Sequence, residues 1–332
     1  MRDYRQIPCD LQVLPKDKRD YTLEMFKLSE DKLYPKEYVV PFNTPILDQG
    51  NSSMCLDFTY RSIEEEQYVA KTGEYKEFAN GFMYGQKIFS HMEGMIEKFD
   101  VISYVKKGIP FAEDFNIVGT ALECEAYFKT NATKEVKKKA ELHRNRSYLS
   151  VTTPEEVIKG LVEFGTSGYI GVMVYNNFYD SKVGGMVPMP SGKEIGGHAM
   201  KLKGVKFING KQHYVVQNSW GEGFGDNGFV YIDCENPCIL NMRLFTDATP
   251  ENEIIELSIG DKTVVTLKEN IELDIAPFIV NGNRTVVPLR FISEVLGYDV
   301  EWAKGGGTKK QGLVTISKKV SRSDDLYIKS KQ

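Results

Sequence analysis

Cys55 is the residue of this chain best placed to act as a nucleophile. It stands six residues after Gln49 in Asp48-Gln49-Gly50-Asn51-Ser52-Ser53-Met54-Cys55 and opens a run to Thr72. In that run Leu56, Tyr60, Ile63, Gln67 and Ala70 recur three or four apart, which predicts an amphipathic helix stopped by Gly73. The polar Asn51-Ser52-Ser53 group is suited to satisfy the free N–H groups of the first turn. A cysteine there feels the positive end of the helix dipole, which favours thiolate over thiol. A thiolate needs a partner that carries a proton, and the chain offers four histidines: His91, His143, His198 and His213. His198 lies in Ile195-Gly196-Gly197-His198-Ala199-Met200, leading into a strand-like Met200-Lys201-Leu202, and twenty residues later comes Asn218-Ser219-Trp220-Gly221. The other three histidines lack such a context. His213, in Gln212-His213-Tyr214-Val215-Val216, reads as a hairpin strand residue.

The order Gln49, Cys55, His198, Asn218-Ser219-Trp220-Gly221, followed by Gly225-Asp226-Asn227-Gly228-Phe229, resembles the papain-like cysteine peptidases from about Tyr34 to Phe245. The resemblance implies hydrolysis of peptide bonds in a peptide or protein substrate, with no cofactor and no metal. Cys55 attacks the scissile carbonyl and forms an acyl-enzyme. His198 holds the proton as imidazolium and returns it to the leaving amine. Asn218 orients the imidazole, Trp220 shields that contact from water, and the Gln49 amide with the Cys55 N–H faces the developing oxyanion. It also implies that the backbone around Gly94 and Met95, with Gly197 opposite, holds an extended substrate in the manner of an added strand. On the residues alone, Gly94 is equally a turn before a helix. Departures from the family pattern are Leu56 after the nucleophile, Ser52 in place of a disulfide-forming cysteine, and Phe224 in place of a tryptophan. These resemble the bacterial and phage branches.

The elements that must position these residues follow an α+β pattern: a helical half carrying Cys55 and a β-barrel-like half carrying His198. The stretch Glu77 to Tyr84 resembles the start of a second helix. Thr153-Pro154-Glu155-Glu156 is a capping box with proline at the first helical position, Val157, Ile158, Leu161 and Val162 form the apolar face, and Gly165 ends the helix. Tyr169 to Tyr175 is β-branched and apolar, a buried strand. The run Lys134 to Lys139 reads as a solvated helix face.

Three regions are expected. Residues 1–32 are an N-terminal extension, either a short inhibitory leader or a strap over the body; the absence of a strongly amphipathic helix favours the strap. Residues 33–248 are the peptidase part. After the polar break Thr246 to Glu253, residues 253–332 form a small α+β unit, with an Asn281-Gly282 turn, a short helix from Pro288 to Leu296, and strands around Val300-Glu301-Trp302 and Leu313 to Ile316. The run Thr285 to Trp302 resembles the copper amine oxidase N-terminal-like domain appended to many bacterial proteins. Residues 239–332 hold no His and no Cys, so soft or imidazole metal ligation is excluded there. The unit is either a module that engages a cell-surface or particle component or a stabilising appendage.

The net charge of −4 and pI near 5.8 give no reason to expect nucleic acid, and no apolar run reaches membrane-spanning length. With five cysteines and no apolar segment after Met1-Arg2-Asp3, a reducing, cytoplasmic setting fits best; non-classical export or phage-associated release is the alternative. Cys234 and Cys238 read as structural or free thiols. Two other functions compete with peptidase activity: a Cys–His cell-wall amidase, and a catalytically silent binding protein on the same fold.

Overall fold

The computed structural model describes residues 2–14, 20–29, 32–87, 89 and 92–250, and seven strands beyond. The chain divides into two compact units, Met1–Glu253 and Ile254–Gln332.

The first unit is built around helix α1, Cys55–Thr72, which ends at Gly73 in the left-handed conformation. The expected one-sided helix is instead buried all round from Cys55 to Gln67. Buried carboxylates are costly unless paired, and those of α1 have partners. Glu64 accepts from the Tyr104 hydroxyl at 2.8 Å, Glu65 accepts from Arg61 at 2.8 Å, and Glu66 takes the ammonium of Lys203 and lies 3.3 Å from that of Lys201. Asp57 accepts the backbone N–H groups of Gly81 at 2.7 Å and Tyr84 at 3.0 Å. This ties the 77–86 loop to the start of the helix. That loop forms only a 3-10 turn at Tyr84–Gln86, and the second helix, α2, begins later at Glu97–Lys107. Helices α3, Ala121–Asn131, and α4, Lys134–Glu141, complete this half.

The other half is a seven-stranded antiparallel sheet. Its strands are β1 (Tyr38–Val39), β2 (Ser147–Val151), β3 (Gly168–Tyr175), β4 (Glu194–Ile208), β5 (Lys211–Gln217), β6 (Phe229–Asp233) and β7 (Ile239–Thr246). They run in the order β2-β7-β3-β4-β5-β6, with β1 added to β4. Helix α5, Pro154–Phe164, has the capping box at Thr153 and Glu156 and stops at a left-handed Gly165. The β4–β5 hairpin turns on Asn209 and Gly210, with φ of 50° and 80° and Ile208 paired to Lys211. Two successive positive φ values match the right-handed twist of the strands, which is why Asn-Gly closes them. This hairpin, together with a one-residue register shift in β4 between Leu202 and Gly204, gives the pairing Lys201↔Gln217, and so delivers Asn218, one residue past β5, towards His198 on β4.

In the second unit, strands at Glu256–Leu257, Thr263–Val265 and Asn270–Glu272 form one sheet. Phe278–Val280 pairs with Arg284–Val286, flanking the Asn281-Gly282 stretch, and Tyr298–Ala303 pairs with Leu313–Lys318. The helix expected from Pro288 lies outside the described residues, as does His91.

Gly204 lies where β1 pairs with β4, opposite Val39. A Cβ there would overlap the Tyr38 carbonyl and meet the Val39 Cα at 2.6 Å, both backbone atoms that cannot swing aside. Gly204→Ala is therefore expected to lower stability by about 1–3 kcal/mol. The check is a lower denaturant midpoint at unchanged slope.

Candidate active site

Cys55 opens α1 with Met54 as its N-cap and no side-chain cap. The polar group before it does not cap the helix and bonds elsewhere. Ser52 Oγ donates to the Gln49 carbonyl at 2.7 Å, and Ser53 Oγ donates to the Asp10 carboxylate at 2.5 Å. The N–H groups of Ala199, which follows His198 on β4, and of Leu56 reach the Cys55 thiol instead. The thiol thus sits where the head of α1 meets β4.

His198 and Asn218 meet in the shifted β4–β5 register, with His198 Nε2 2.8 Å from Asn218 Oδ1. The same oxygen accepts the Ser219 N–H at 2.8 Å, which holds the Asn218 amide in place. The other ring nitrogen, His198 Nδ1, is buried without a hydrogen-bond partner. Trp220, fully buried, stacks on the imidazole at 4.7 Å and 29°. It is itself packed against Tyr179 at 5.8 Å and edge-on against Phe224 at 4.7 Å. Gln49 is fixed at both ends of its side chain: Oε1 accepts from Ser219 Oγ at 2.7 Å, and Nε2 donates one proton to the Ser52 carbonyl at 2.8 Å. Ser219 thereby links Gln49 to Asn218. Sequence reasoning missed this role, although Ser219 stands inside the Asn-Ser-Trp-Gly motif.

Gly94, Met95 and Gly197 are also brought to this place, and they already hold a chain: the protein's own N-terminal segment. Leu11 N–H donates to the Gly197 carbonyl at 3.1 Å; Gln12 N–H donates to the Met95 carbonyl at 3.0 Å and its carbonyl accepts Glu97 N–H at 2.9 Å. The pairing is antiparallel at Gly197 and parallel at Ile96. A Cβ on Gly94 would overlap the Asp10 carbonyl, so only glycine permits this approach. The Leu11 side chain is buried in the same apolar cluster as Cys55, Met95 and Ala199. Nearer the chain start, Tyr4 stacks on Trp220 at 6.4 Å and Arg2 pairs with Asp48. The signal for an extended segment was in the sequence. Ile7, Cys9 and Leu11 alternate with Pro8, Asp10 and Gln12, and the first three are the buried ones.

With this segment in place Cys55 is 2% exposed. Burial pushes its thiol up to about 12, against the N–H groups of Ala199 and Leu56, and the nearby Asp10 charge adds to the rise. Burial likewise lowers the His198 imidazole to about 4, against the Asn218 hydrogen bond. The expected thiolate–imidazolium pair is thus not the favoured state here; the covered site holds a neutral thiol and a neutral ring. The reason is desolvation, which outweighs the helix dipole.

A fold of this kind, with a cysteine at the head of a buried helix and a histidine–asparagine pair on a facing sheet, is that of the papain-like proteases. Residues 43–247, more than half of the chain, match the model of the papain family of cysteine proteases, and the chain belongs to that family. Residues 246–310 match the copper amine oxidase N-terminal domain. Among curated proteins, a cathepsin B-like cysteine proteinase of Caenorhabditis elegans is 35% identical over 111 residues, covering 33% of this chain and 28% of that protein. A cathepsin L-like proteinase of Phaedon cochleariae is 24% identical over 201 residues, covering 58% of each. The chain thus spans less than two-thirds of these relatives. Among solved structures, xylellain, a cysteine protease from Xylella fastidiosa, aligns with a TM-score of 0.58 at 16% identity, covering 75% of this chain and all of that one. A procathepsin B from Trypanosoma congolense gives 0.55 at 15% identity, covering 73% and 86%. At these identities the likeness is one of fold.

A thiol with its pKa near 12 is almost wholly protonated at neutral pH. Alkylation of Cys55 in the full chain is therefore expected to be slow at pH 7 and to rise about tenfold per pH unit through pH 10. Peptide mapping against Cys55→Ala assigns the signal, and a plateau below pH 8 would contradict the buried neutral pair.

Proposed function

We propose that the chain is a cysteine endopeptidase whose cleft is occupied, in the state described, by residues 9–12 of its own N-terminal segment. The observation that carries this reading is the ring of His198, held on one side by Asn218 at 2.8 Å and roofed by Trp220, with its other nitrogen without a hydrogen-bond partner, on the strand whose next residue, Ala199, turns its N–H to the Cys55 thiol. An imidazole so held keeps one nitrogen free to exchange a proton with the thiol.

In the proposed mechanism, departure of residues 9–12 returns water to the cleft. Both desolvation penalties fall, and the proton moves from Cys55 to His198 Nδ1. The backbone groups that held Leu11 and Gln12, at Gly197 and Met95–Glu97, hold an extended peptide instead. Thiolate attack places negative charge on the former carbonyl oxygen, which the Cys55 N–H and the second proton of the Gln49 amide stabilise. His198 gives its proton to the leaving amine, and water then hydrolyses the thioester. Residues 253–332 are proposed to dock the peptidase on a surface or particle component; the match to an appended domain supports a separate module.

The test is intact-mass labelling with an epoxide inhibitor of thiol peptidases, alongside hydrolysis of a peptide library. Leu11→Asp, which puts a charge into the apolar cluster holding the segment, is expected to raise both labelling and hydrolysis at least tenfold over the unaltered chain. Adding Cys55→Ala or His198→Ala should abolish both. No adduct in the folded Leu11→Asp protein would overturn the peptidase assignment in favour of a silent binding protein.

A further inference from the structure

The N-terminal segment is held by two different kinds of contact. Up to Leu14 it touches the body through main-chain hydrogen bonds to the cleft edges and through the buried side chains of Ile7, Cys9 and Leu11, and its ion pair, Arg2 with Asp48, is a part-exposed one. From Asp20 onward it is built into the core. Asp20 is 2% exposed and accepts from Arg243 Nη1 at 2.8 Å, from the Lys98 ammonium, and from the Tyr148 hydroxyl at 3.3 Å. Arg243 in turn donates its Nε to Glu97 at 2.8 Å. Burial alone would raise the Asp20 carboxyl, but Arg243 and Lys98 outweigh it and hold it below the usual carboxylate range.

The residues after Asp20 continue this integration. The Tyr21 carbonyl accepts the Ser150 N–H at 2.7 Å, and Thr22 bridges Ser150 in parallel, so the segment covers β2, the edge strand of the sheet. An uncovered edge strand is a template for aggregation. Tyr21, Leu23 and Phe26 are buried, and Phe26 meets Phe164 of α5 edge-on at 5.6 Å. Glu163 near the end of α5 then gathers Ser29, Lys32 and Tyr34.

We infer that this segment is two devices with separate fates: a removable plug ending by Leu14, and a permanent staple starting at Asp20 that belongs to the working protein. Opening the site then requires a cut between those two residues, not one at the exposed junction near Leu33. Stripping the whole segment would take from Arg243 one of its two buried carboxylates and uncover both β2 and the aromatic face of α5. The inference rests on the occluded-peptidase reading for its meaning, but its physical content, which piece leaves and which stays, is measurable without any activity.

The experiment uses two full-length variants carrying the recognition sequence of one site-specific protease. In one it lies between Leu14 and Asp20; in the other it lies at Leu33, which is 96% exposed. After the first cut, native size-exclusion followed by intact mass should show the plug lost and the remainder melting within about 3 °C of the uncut protein. After the second cut the fragment should stay bound and Cys55 should remain closed to the epoxide. Release of the whole segment by the second cut, with the melting temperature unchanged, would overturn the division. So would a plug that stays after the first cut. Asp20→Ala separates the two devices again: breaking a buried ion cluster is expected to lower the melting temperature by about 10 °C, whereas Leu11→Asp should lower it by less than half as much. If the plug leaves and no adduct forms, the division stands and the peptidase reading falls.

Discussion

One buried carboxylate ties together the two halves of the site. Glu66 lies three turns along the helix that begins with Cys55, and it binds Lys203 and Lys201 on the strand that carries His198. Charges so buried tolerate little displacement, because separating them exposes each to an environment that cannot solvate it. The helix and the strand are therefore locked in one relative position, three turns from Cys55 and three to five residues from His198. The remaining contacts work within that frame. The Asn-Gly hairpin and the register shift after Leu202 together set where Asn218 falls, and Ser219 connects it to Gln49, so the ring orientation and the proposed oxyanion donor share one support.

The same burial that makes this frame rigid also sets its electrostatics. Trp220 and its aromatic neighbours keep water from the His198–Asn218 contact, which strengthens that hydrogen bond but penalises an imidazolium. Whether the pair is neutral or ionic depends on how much water reaches the other side of the ring. In the covered state, burial favours the neutral form of both groups. A site of this design is governed by solvent access rather than by rearrangement of its side chains.

Much of this was legible in the sequence. Cys55, His198, Asn218, Trp220 and Gln49 stand in local motifs, and the fold brings them to one place. The capping box at Thr153, the stop at Gly165 and the strand around Tyr169 follow local rules of backbone chemistry and appear as expected. What was not legible depends on contacts between distant segments. The α1 pattern reads as one-sided because Asp57, Glu64, Glu65 and Glu66 are charged; their partners, among them Tyr104, Lys201 and Lys203, come from elements far along the chain. Ser52 and Ser53 look like capping residues, yet Gln49 and Asp10 claim their hydroxyls. The effect of burial on the Cys55 thiol was not legible, because desolvation depends on segments packed from elsewhere in the chain and leaves no local trace.

The tether between Gln12 and Asp20 has a kinetic meaning. Only seven residues, 13–19, separate the strand in the cleft from Asp20, which is anchored in the core. A strand that belongs to the same chain as its cleft has an effective local concentration on the order of millimolar, whatever the concentration of the protein. Occupancy of the cleft is therefore indifferent to dilution, and a peptide present at micromolar levels competes poorly. Severing the link turns the same strand into an ordinary dilute ligand that diffuses away. The change is one of effective volume: the contacts in the cleft are the same before and after, and only the concentration of strand that they meet falls.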